Sequence, residues 1–319
     1  MAFTMHSHSG QFCPGHAKDQ LEDIIKHAIK MGYKTMGLTE HMPRTELSDL
    51  YPEELTPDPN ASLAALMPRH EAYLAEAWRL QIKYADRIHI LIGFEGEWIR
   101  KASYGPLVKQ LAAHPHVDYF IGSLHHTSGV PIDLDRATYH DARDRSGGTE
   151  EWLYEKYYDE QYEMLCTLRP KIVGHFDLVR LLSSDPGRDI SKKESWTVGR
   201  KVVWEKAQRN LRFVRGYGGW LECNTSALRK GLAEPYPARP IAEAWVKLGG
   251  RWTMSDDSHG VEQVATNYER GLQYLESLGV REVWTLERAL HPELNTTPEK
   301  APLKEKSVSI AEIMYAAAY

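Results

Sequence analysis

The chain begins MAFTMHSHSG (residues 1–10), an apolar run that ends in two histidines separated by one serine. The run Met1–Met5 has the length and composition of a short buried strand. Side chains two residues apart in a strand point to the same side, so His6 and His8 can reach one ion. A lone pair of this kind is weak evidence, because near-neighbour histidines also occur on surface strands. The rest of the chain decides between these readings.

The same arrangement, an apolar run followed at once by polar side chains, recurs along the chain. The further runs are residues 35–39, 88–94, 119–124, 171–173, 220–223 and 251–254. Continuous apolar strands that alternate with amphipathic helices are typical of a parallel sheet covered on both faces. The sequence therefore predicts an α/β fold with a parallel sheet, and we favour a single TIM-like barrel domain. In such a barrel the C-terminal ends of the strands form the face where active sites lie.

The segments between the runs predict helices and two long loops. The helices are expected at or within residues 19–30, 69–84, 104–113, 150–168, 193–217, 240–248 and 261–278. Residues 42–68 and 133–149 are predicted loops that either close over the active face as lids or are surface insertions. We predict one domain over residues 1–319. Residues 280–319 form a C-terminal extension, with a candidate eighth strand at 282–286 and a helix at 309–318.

The composition of the 319 residues is that of a globular protein, with 42% hydrophobic and 26% charged residues. The net charge of −5 argues against a nucleic-acid partner. No apolar run approaches the roughly 20 residues of a membrane span, and we expect neither a membrane partner nor a signal peptide. Three cysteines suggest no disulfide framework, so a cytoplasmic location is expected. The oligomeric state is not predicted.

Metal-capable side chains follow nearly every predicted strand. They are His6 and His8, Glu40 and His41, Glu95 and Glu97, His125 and His126, His175 and Asp177, and Asp256, Asp257 and His259. Imidazole and carboxylate ligands suit Zn, Mn or Fe, and clustered thiolates are absent. The set exceeds what one ion needs, so we expect two or three divalent metal ions. Other histidines, including His70, His140 and His291, are expected to be surface or packing residues.

Taken in order, these motifs resemble the PHP (polymerase and histidinol phosphatase) superfamily, and within it the monofunctional histidinol-phosphatase branch. The stretch HHTSGVPID (residues 125–133) is most similar to fungal members. The motifs are His6-x-His8, His16, Glu40-His41, Gly93-Phe94-Glu95, Gly122-Ser123-Leu124-His125, Gly174-His175-Phe176-Asp177 and Asp257-Ser258-His259.

The resemblance implies a distorted (β/α)7 barrel with three metal ions at the C-terminal ends of the strands. The implied ligands are His6, His8, Glu95 and Asp257 for the first ion, Glu95, His125 and His175 for the second, and His16, His41 and His259 for the third. Glu95, Asp257, His41 and His259 are the residues expected to take part in catalysis. Many members have Asp where this chain has Glu40, so Glu40 is either a ligand or a neighbour of one.

The implied activity is hydrolysis of L-histidinol phosphate to L-histidinol and phosphate in histidine biosynthesis, by attack of a metal-activated hydroxide. The phosphate needs cations, and Arg180 and Arg229 follow the fifth and sixth strands. Asp177 either orients His175 or accepts the substrate's amine. The alternatives are hydrolysis of another small phosphate monoester and a non-catalytic metal-binding role. Further expected substrate contacts are Asn224, His126 and Ser123.

Overall fold

Seven parallel strands form one nearly closed sheet in the computed structural model, which describes residues 2–196, 202–288 and 302–317. The strand order in this sheet is the first four strands of the chain followed by the seventh, eighth and ninth. All strands, in chain order, are β1 (Ala2–Thr4), β2 (Tyr33–Leu38), β3 (His89–Gly96), β4 (Tyr119–Gly122), β5 (His126–Thr127), β6 (Val130–Pro131), β7 (Ile172–Val173), β8 (Trp220–Asn224), β9 (Arg251–Ser255), β10 (Glu282–Arg288) and β11 (Leu303–Ser309).

The barrel closes between its first and last strands. The backbone N–H of Met5 donates to the carbonyl of Met254 (3.1 Å), and that of His8 donates to Ser258 (2.8 Å). These bonds lie at and just beyond the ends of β1 and β9. They carry the closure up to the residues that follow the strands, and so bring His8 beside the end of β9. The predicted (β/α)7 barrel is confirmed.

All helices except the last, which follows β11, lie between strands along the chain. Helix α5 coincides with its prediction, and it begins where the Thr149 hydroxyl accepts the backbone N–H of Trp152. In chain order the helices are α1 (Leu21–Lys30), α2 (Pro59–Lys83), α3 (Lys101–Ala112), α4 (Arg136–Arg145), α5 (Glu150–Leu168), α6 (Val202–Tyr217), α7 (Ser226–Arg229), α8 (Arg239–Lys247), α9 (Tyr268–Ser277) and α10 (Ile310–Ala317).

The first predicted loop, residues 42–68, is too long by ten residues. Helix α2 begins at Pro59 because the Asp58 carboxylate accepts the backbone N–H groups of Asn60 (3.0 Å) and Ala61 (3.2 Å). An acidic N-cap followed by proline at the first helical position is a strong start signal. Pro68, taken as the end of the loop, lies inside the helix. The loop proper is residues 42–58, with two short 3₁₀ turns.

The second predicted loop, residues 133–149, contains a helix. Helix α4 begins after Asp135, whose carboxylate accepts the Thr138 backbone N–H at 2.8 Å. The preceding hairpin of β5 and β6 leads into it. The part of this segment that can approach the active face is therefore its first few residues, including Asp133.

The candidate eighth strand does not join the barrel. β10 pairs antiparallel with β11, and together they form a separate two-stranded sheet. Because β1 and β9 already close the barrel, no edge is left for an eighth strand. The hairpin is tied to the barrel by Glu305, which pairs with Lys171 and Arg251 near the starts of β7 and β9. His291 lies outside the described residues.

No helix in the described part of the chain is both long enough and apolar enough to cross a membrane.

Candidate metal centre

Four side chains from three strand ends converge into a first group, His6, His8, Glu95 and Asp257. Nε2 of His6 lies 3.4 Å from Oε2 of Glu95 and 3.6 Å from Oδ1 of Asp257. Nε2 of His8 lies 3.5 Å and 3.4 Å from the same two oxygens. Ligands about 2.1 Å from a tetrahedral ion lie about 3.4 Å from one another. These four atoms therefore have the spacing of ligands around one ion.

A second group consists of Glu95, His125 and His175. Oε1 of Glu95 lies 3.0 Å from Nε2 of His175 and 3.3 Å from Nε2 of His125, and the two nitrogens are 3.1 Å apart. The other oxygen of the same carboxylate faces the first group. Glu95 thus has the geometry of a bridging ligand, with one oxygen for each group.

A third group consists of His8, His41 and His259, whose nitrogens lie within 4.8 Å of one another. The ring of His8 stacks on those of His41 and His259, with centroids 4.2 and 4.4 Å apart. The resemblance implied His16 in place of His8. His16 packs edge-on against His259 (4.7 Å), but its Nδ1 pairs with Glu53 at 2.9 Å and its side chain is 40% exposed. It lies at the mouth of the group, outside the closest set.

A strained turn presents the last ligands of the first and third groups. Asp257 has a φ of +48°, in the left-handed region that residues other than glycine seldom adopt. The guanidinium of Arg229 donates to the carbonyls of Asp256 (3.0 Å) and Asp257 (2.8 Å). These two bonds hold the turn, and strain of this kind is typical of functional sites.

The imidazoles of the third group are in the state that metal binding requires. Burial lowers the pKa of His8, His41 and His259, so all three are neutral at pH 7. Nε2 of His8 and Nε2 of His259 are buried and have no hydrogen-bond partner among the described residues. Buried polar atoms are usually paired, so these orphaned lone pairs favour an ion as their partner.

The carboxylates of the site are ionised. Burial opposes ionisation of Glu95 and Asp257, but the neighbouring imidazoles outweigh it and hold the pKa of both carboxyls well below the usual range. His125 contributes most for Glu95, and His6 contributes most for Asp257. Despite their burial, His6 and His125 have a pKa well above the usual value, because the neighbouring carboxylates favour the charged ring, so each would release a proton on binding an ion. Once deprotonated, imidazoles beside ionised carboxylates form a donor set that fits divalent transition-metal ions.

Two further buried carboxylates contact Nδ1 of His6 and of His125, on the side of each ring away from the other group members. Oε2 of Glu222 lies 3.0 Å from Nδ1 of His6, and Oε2 of Glu97 lies 2.8 Å from Nδ1 of His125. Contacts of this kind orient the ring and select its tautomer. The sequence analysis counted Glu97 among the metal-capable side chains but assigned it to no ion, and it gave Glu222 no role. The available signal for Glu222 was a charged side chain inside the apolar run of β8.

Glu40 lies beside the site without joining a group. Its Oε1 accepts the Ser9 hydroxyl, and its Oε2 is buried with no partner among the described residues. Burial raises the pKa of Glu40 to about 8, so it is protonated at pH 7. It is the chain neighbour of His41, which belongs to the third group.

The three groups open into a cavity of about 360 Å³. That volume lies within the usual range for small-molecule sites. Both signs of charge are present on its walls in addition to the three groups. The lining residues are Cys13, His16, His41, Arg44, Tyr51, Glu53, Glu54, Glu95, His125, Asp133, His175, Arg229, Lys230, Asp257, His259 and Gln263.

Arg229 is the one residue of the predicted substrate-binding set that lines this cavity. Arg180 is buried elsewhere: its guanidinium donates to the carbonyls of Glu234 (3.0 Å) and Pro235 (2.8 Å) and pairs with Asp177 at 2.9 Å. The Asp177 carboxylate also accepts the backbone N–H of Ala238 at 2.9 Å. Both side chains point away from the strand ends, and their hydrogen bonds stabilise the segment that follows α7.

The other three predicted substrate contacts are buried behind the cavity wall. Asn224 donates to Glu222 at 2.7 Å and accepts the backbone N–H of Ser226. The Ser123 hydroxyl is packed beneath Gly174, and the His126 ring meets the edge of Tyr51. Their positions at strand ends bring these three residues near the metal-binding groups but do not expose them to the cavity.

A larger cavity of about 760 Å³ lies between α6 and α8. Arg188, Trp204 and Lys247 are among its lining residues, and none of the three groups opens into it. The chemistry of the described residues is therefore concentrated in the smaller cavity.

Residues 4–226 match the model of the PHP domain family. The chain belongs to the PHP domain family. This match runs from the last residue of β1 to just beyond β8, and the turn with Asp257 and His259 follows it in the chain.

Curated relatives of this PHP-family protein align with nearly the whole chain. It is 40% identical over 300 residues to the "Probable histidinol-phosphatase" of Schizosaccharomyces pombe, covering 94% of each chain. It is 31% identical over 324 residues to the "Histidinol-phosphatase" of Saccharomyces cerevisiae, covering 94% of this chain and 96% of that relative.

Solved structures share the fold of this PHP domain. A crystal structure from Listeria monocytogenes has a TM-score of 0.68 and 24% identity, covering 84% of this chain and 99% of the other. A histidinol phosphate phosphatase of Lactococcus lactis, solved with zinc, L-histidinol and phosphate, has a TM-score of 0.62 and 18% identity. That alignment covers 89% of this chain and 95% of the other.

Proposed function

We propose that this PHP domain is a histidinol-phosphatase, a phosphoric monoester hydrolase that converts L-histidinol phosphate and water to L-histidinol and phosphate. The observation that carries the proposal is the sharing of Glu95 and His8 among three ligand groups that open into one cavity. The names of the two fungal relatives supply the substrate.

The three groups would hold two or three divalent ions, and zinc is our first choice because the Lactococcus lactis protein was solved with it. Manganese and iron suit the same ligand types. Bound ions would supply Lewis acidity toward phosphate oxygens and a water that ionises near neutral pH.

The protein's own contribution begins with the phosphate end of the substrate. Arg229 uses three N–H groups on Asp256, Asp257 and Thr266, which leaves two of its five donors. Lys230, beside it in the chain, is exposed at the cavity and has no anionic partner among the described residues. These two cations would bind phosphate oxygens. Their charge would also offset the charge that develops as the phosphorus–oxygen bond breaks.

The experiment is phosphate release by protein stripped with a chelator and reconstituted separately with Zn²⁺, Mn²⁺ or Fe²⁺. L-Histidinol phosphate is compared with a panel of other small phosphate monoesters. Fast, metal-dependent release that is selective for histidinol phosphate is expected.

Two variants accompany this assay. Asp257→Asn, which keeps the size of the side chain, should lose at least 100-fold in rate, whereas the exposed Asp141→Asn should retain it. Equal release from all esters would leave a phosphoesterase without the named substrate. No release from any ester with metal bound would favour a metal-binding protein without catalysis.

A further inference from the structure

The cavity walls carry six charged side chains outside the three ligand groups. Four of them come from the loop of residues 42–58 and from the start of the segment after β6, and two come from the end of α7 and the residue after it. They are Arg44, Glu53, Glu54, Asp133, Arg229 and Lys230.

Three of these side chains have polar partners within the protein. Nη1 of Arg44 lies 3.2 Å from Oε2 of Glu97, and its Nε lies 3.5 Å from Oε2 of Glu54. Glu54 also accepts the backbone N–H of Tyr51 at 2.8 Å. Glu53 pairs with His16 at 2.9 Å. These groups therefore have partners that a substrate would have to displace.

Asp133 is different, because no cation among the described residues pairs with it. Its carboxylate contacts the hydroxyl of Tyr51, with Oδ1 3.5 Å from the phenol oxygen. That distance is at the outer limit of a hydrogen bond. A carboxylate has about four lone-pair sites, so most of its capacity remains. Asp133 is half-buried on the cavity wall, where its charge is less screened than at the surface.

The contact between Tyr51 and Asp133 also joins the two segments that the sequence marked as possible lids. Tyr51 belongs to the loop of residues 42–58, and Asp133 lies three residues before the start of α4. The ring of Tyr51 is held by the guanidinium of Arg44, which lies 5.0 Å from its centroid. An anion and an aromatic ring thus form one end of the cavity wall.

We infer that Asp133 binds the positively charged end of the substrate, its primary ammonium group, while Arg229 and Lys230 bind the phosphate. This inference rests on the proposed function and deepens it. A cavity that offers unpaired charges of both signs selects a phosphate monoester that also carries a cation. Asp133 is then a specificity-determining residue, because esters without a cation gain nothing from it.

The test compares Asp133→Asn with the unaltered holoenzyme on two substrates, L-histidinol phosphate and 4-nitrophenyl phosphate, which has no cation. Loss of a charge-assisted hydrogen bond should lower the kcat/KM for histidinol phosphate, relative to that for 4-nitrophenyl phosphate, by about 10- to 100-fold. Most of the change should lie in KM for histidinol phosphate. Inhibition by L-histidinol should weaken by a similar factor relative to inhibition by inorganic phosphate.

Two further variants make the result specific. Asp133→Glu keeps the charge and should restore most of the selectivity. Asp141→Asn removes an exposed carboxylate of α4 that pairs with Arg145, and should leave both substrates unaffected.

The outcomes separate this inference from the proposed function. An Asp133→Asn enzyme with unaltered selectivity, or with equal losses on both substrates, overturns the inference and leaves the proposed function in place. A holoenzyme that hydrolyses 4-nitrophenyl phosphate but not histidinol phosphate overturns both.

Discussion

Nδ1 of His6 lies 3.0 Å from Oε2 of Glu222, and both side chains are completely buried. The other oxygen of Glu222 accepts the backbone N–H of His175 at 2.7 Å. One carboxylate from β8 therefore positions a residue in each of two ligand groups. With a proton on Nδ1, His6 presents the lone pair of Nε2 to Glu95 and Asp257, where an ion would lie.

Glu222→Gln should weaken zinc binding by about 10- to 100-fold. An amide has only one oxygen, so it can accept a hydrogen bond from His6 or from His175, whereas the carboxylate accepts from both. Zinc affinity measured by competition with a chromogenic chelator checks this. The midpoint of thermal unfolding of the metal-free variant shows whether the fold persists. Unchanged affinity in a folded variant would mean that Glu222 only fills space.

Glu95→Ala should remove more metal than Asp257→Ala. Glu95 belongs to the first and second groups, whereas Asp257 belongs to the first alone, so the two losses should differ by about one ion. Elemental analysis of the purified proteins after identical reconstitution measures the stoichiometry. Equal metal content in both variants would show that Glu95 does not bridge.

Arg44→Met should lower the free energy of unfolding by about 3–5 kcal/mol, because it leaves the buried Glu97 and the half-buried Glu54 without their arginine partner. Arg79→Met is the matched control: Arg79 pairs with Glu76 and Glu22 but is 51% exposed, so its loss should cost less than about 1 kcal/mol. Urea unfolding of the metal-free proteins gives both values. Similar costs for the two variants would contradict the difference in burial.

His70 should make stability depend on pH. It is buried against Tyr73 and Phe94, neither ring nitrogen has a partner among the described residues, and burial lowers its pKa to about 4. An unfolded histidine has a pKa of about 6.5. Between these values the unfolded chain binds a proton that the folded chain does not. The stabilisation is therefore complete above pH 6.5 and is lost as the pH falls toward 4.

His70→Leu tests this titration. From pH 7 to pH 5 the variant should gain about 2 kcal/mol of stability relative to the unaltered protein, since leucine does not titrate. Urea unfolding of both proteins in the presence of a chelator measures the difference at each pH. A difference that stays constant over this range would contradict a depressed pKa for His70.

Local signals predicted much of the fold for identifiable reasons. The continuous apolar runs located the seven barrel strands, and helix α5 was predicted with the bounds that it has in the structure. Helix α2 was placed too late because Pro68 was taken as the end of the loop and the start signal at Asp58-Pro59 was not used. The eighth strand was misassigned because an apolar run does not state which edge it pairs with.

The sequence by itself determined that imidazoles and carboxylates follow the strands. Because parallel strands of a barrel bring their C-terminal ends to one face, it also determined that these side chains lie on that face. Only the tertiary structure decided how they are shared. Glu222 meets His6 across 216 residues, which requires closure of the barrel. The direction in which a long side chain points could not be predicted from the sequence either. Arg180 donates to carbonyls outside the cavity, whereas Asp133 lines the cavity. Such orientations depend on partners that packing brings together from distant parts of the chain.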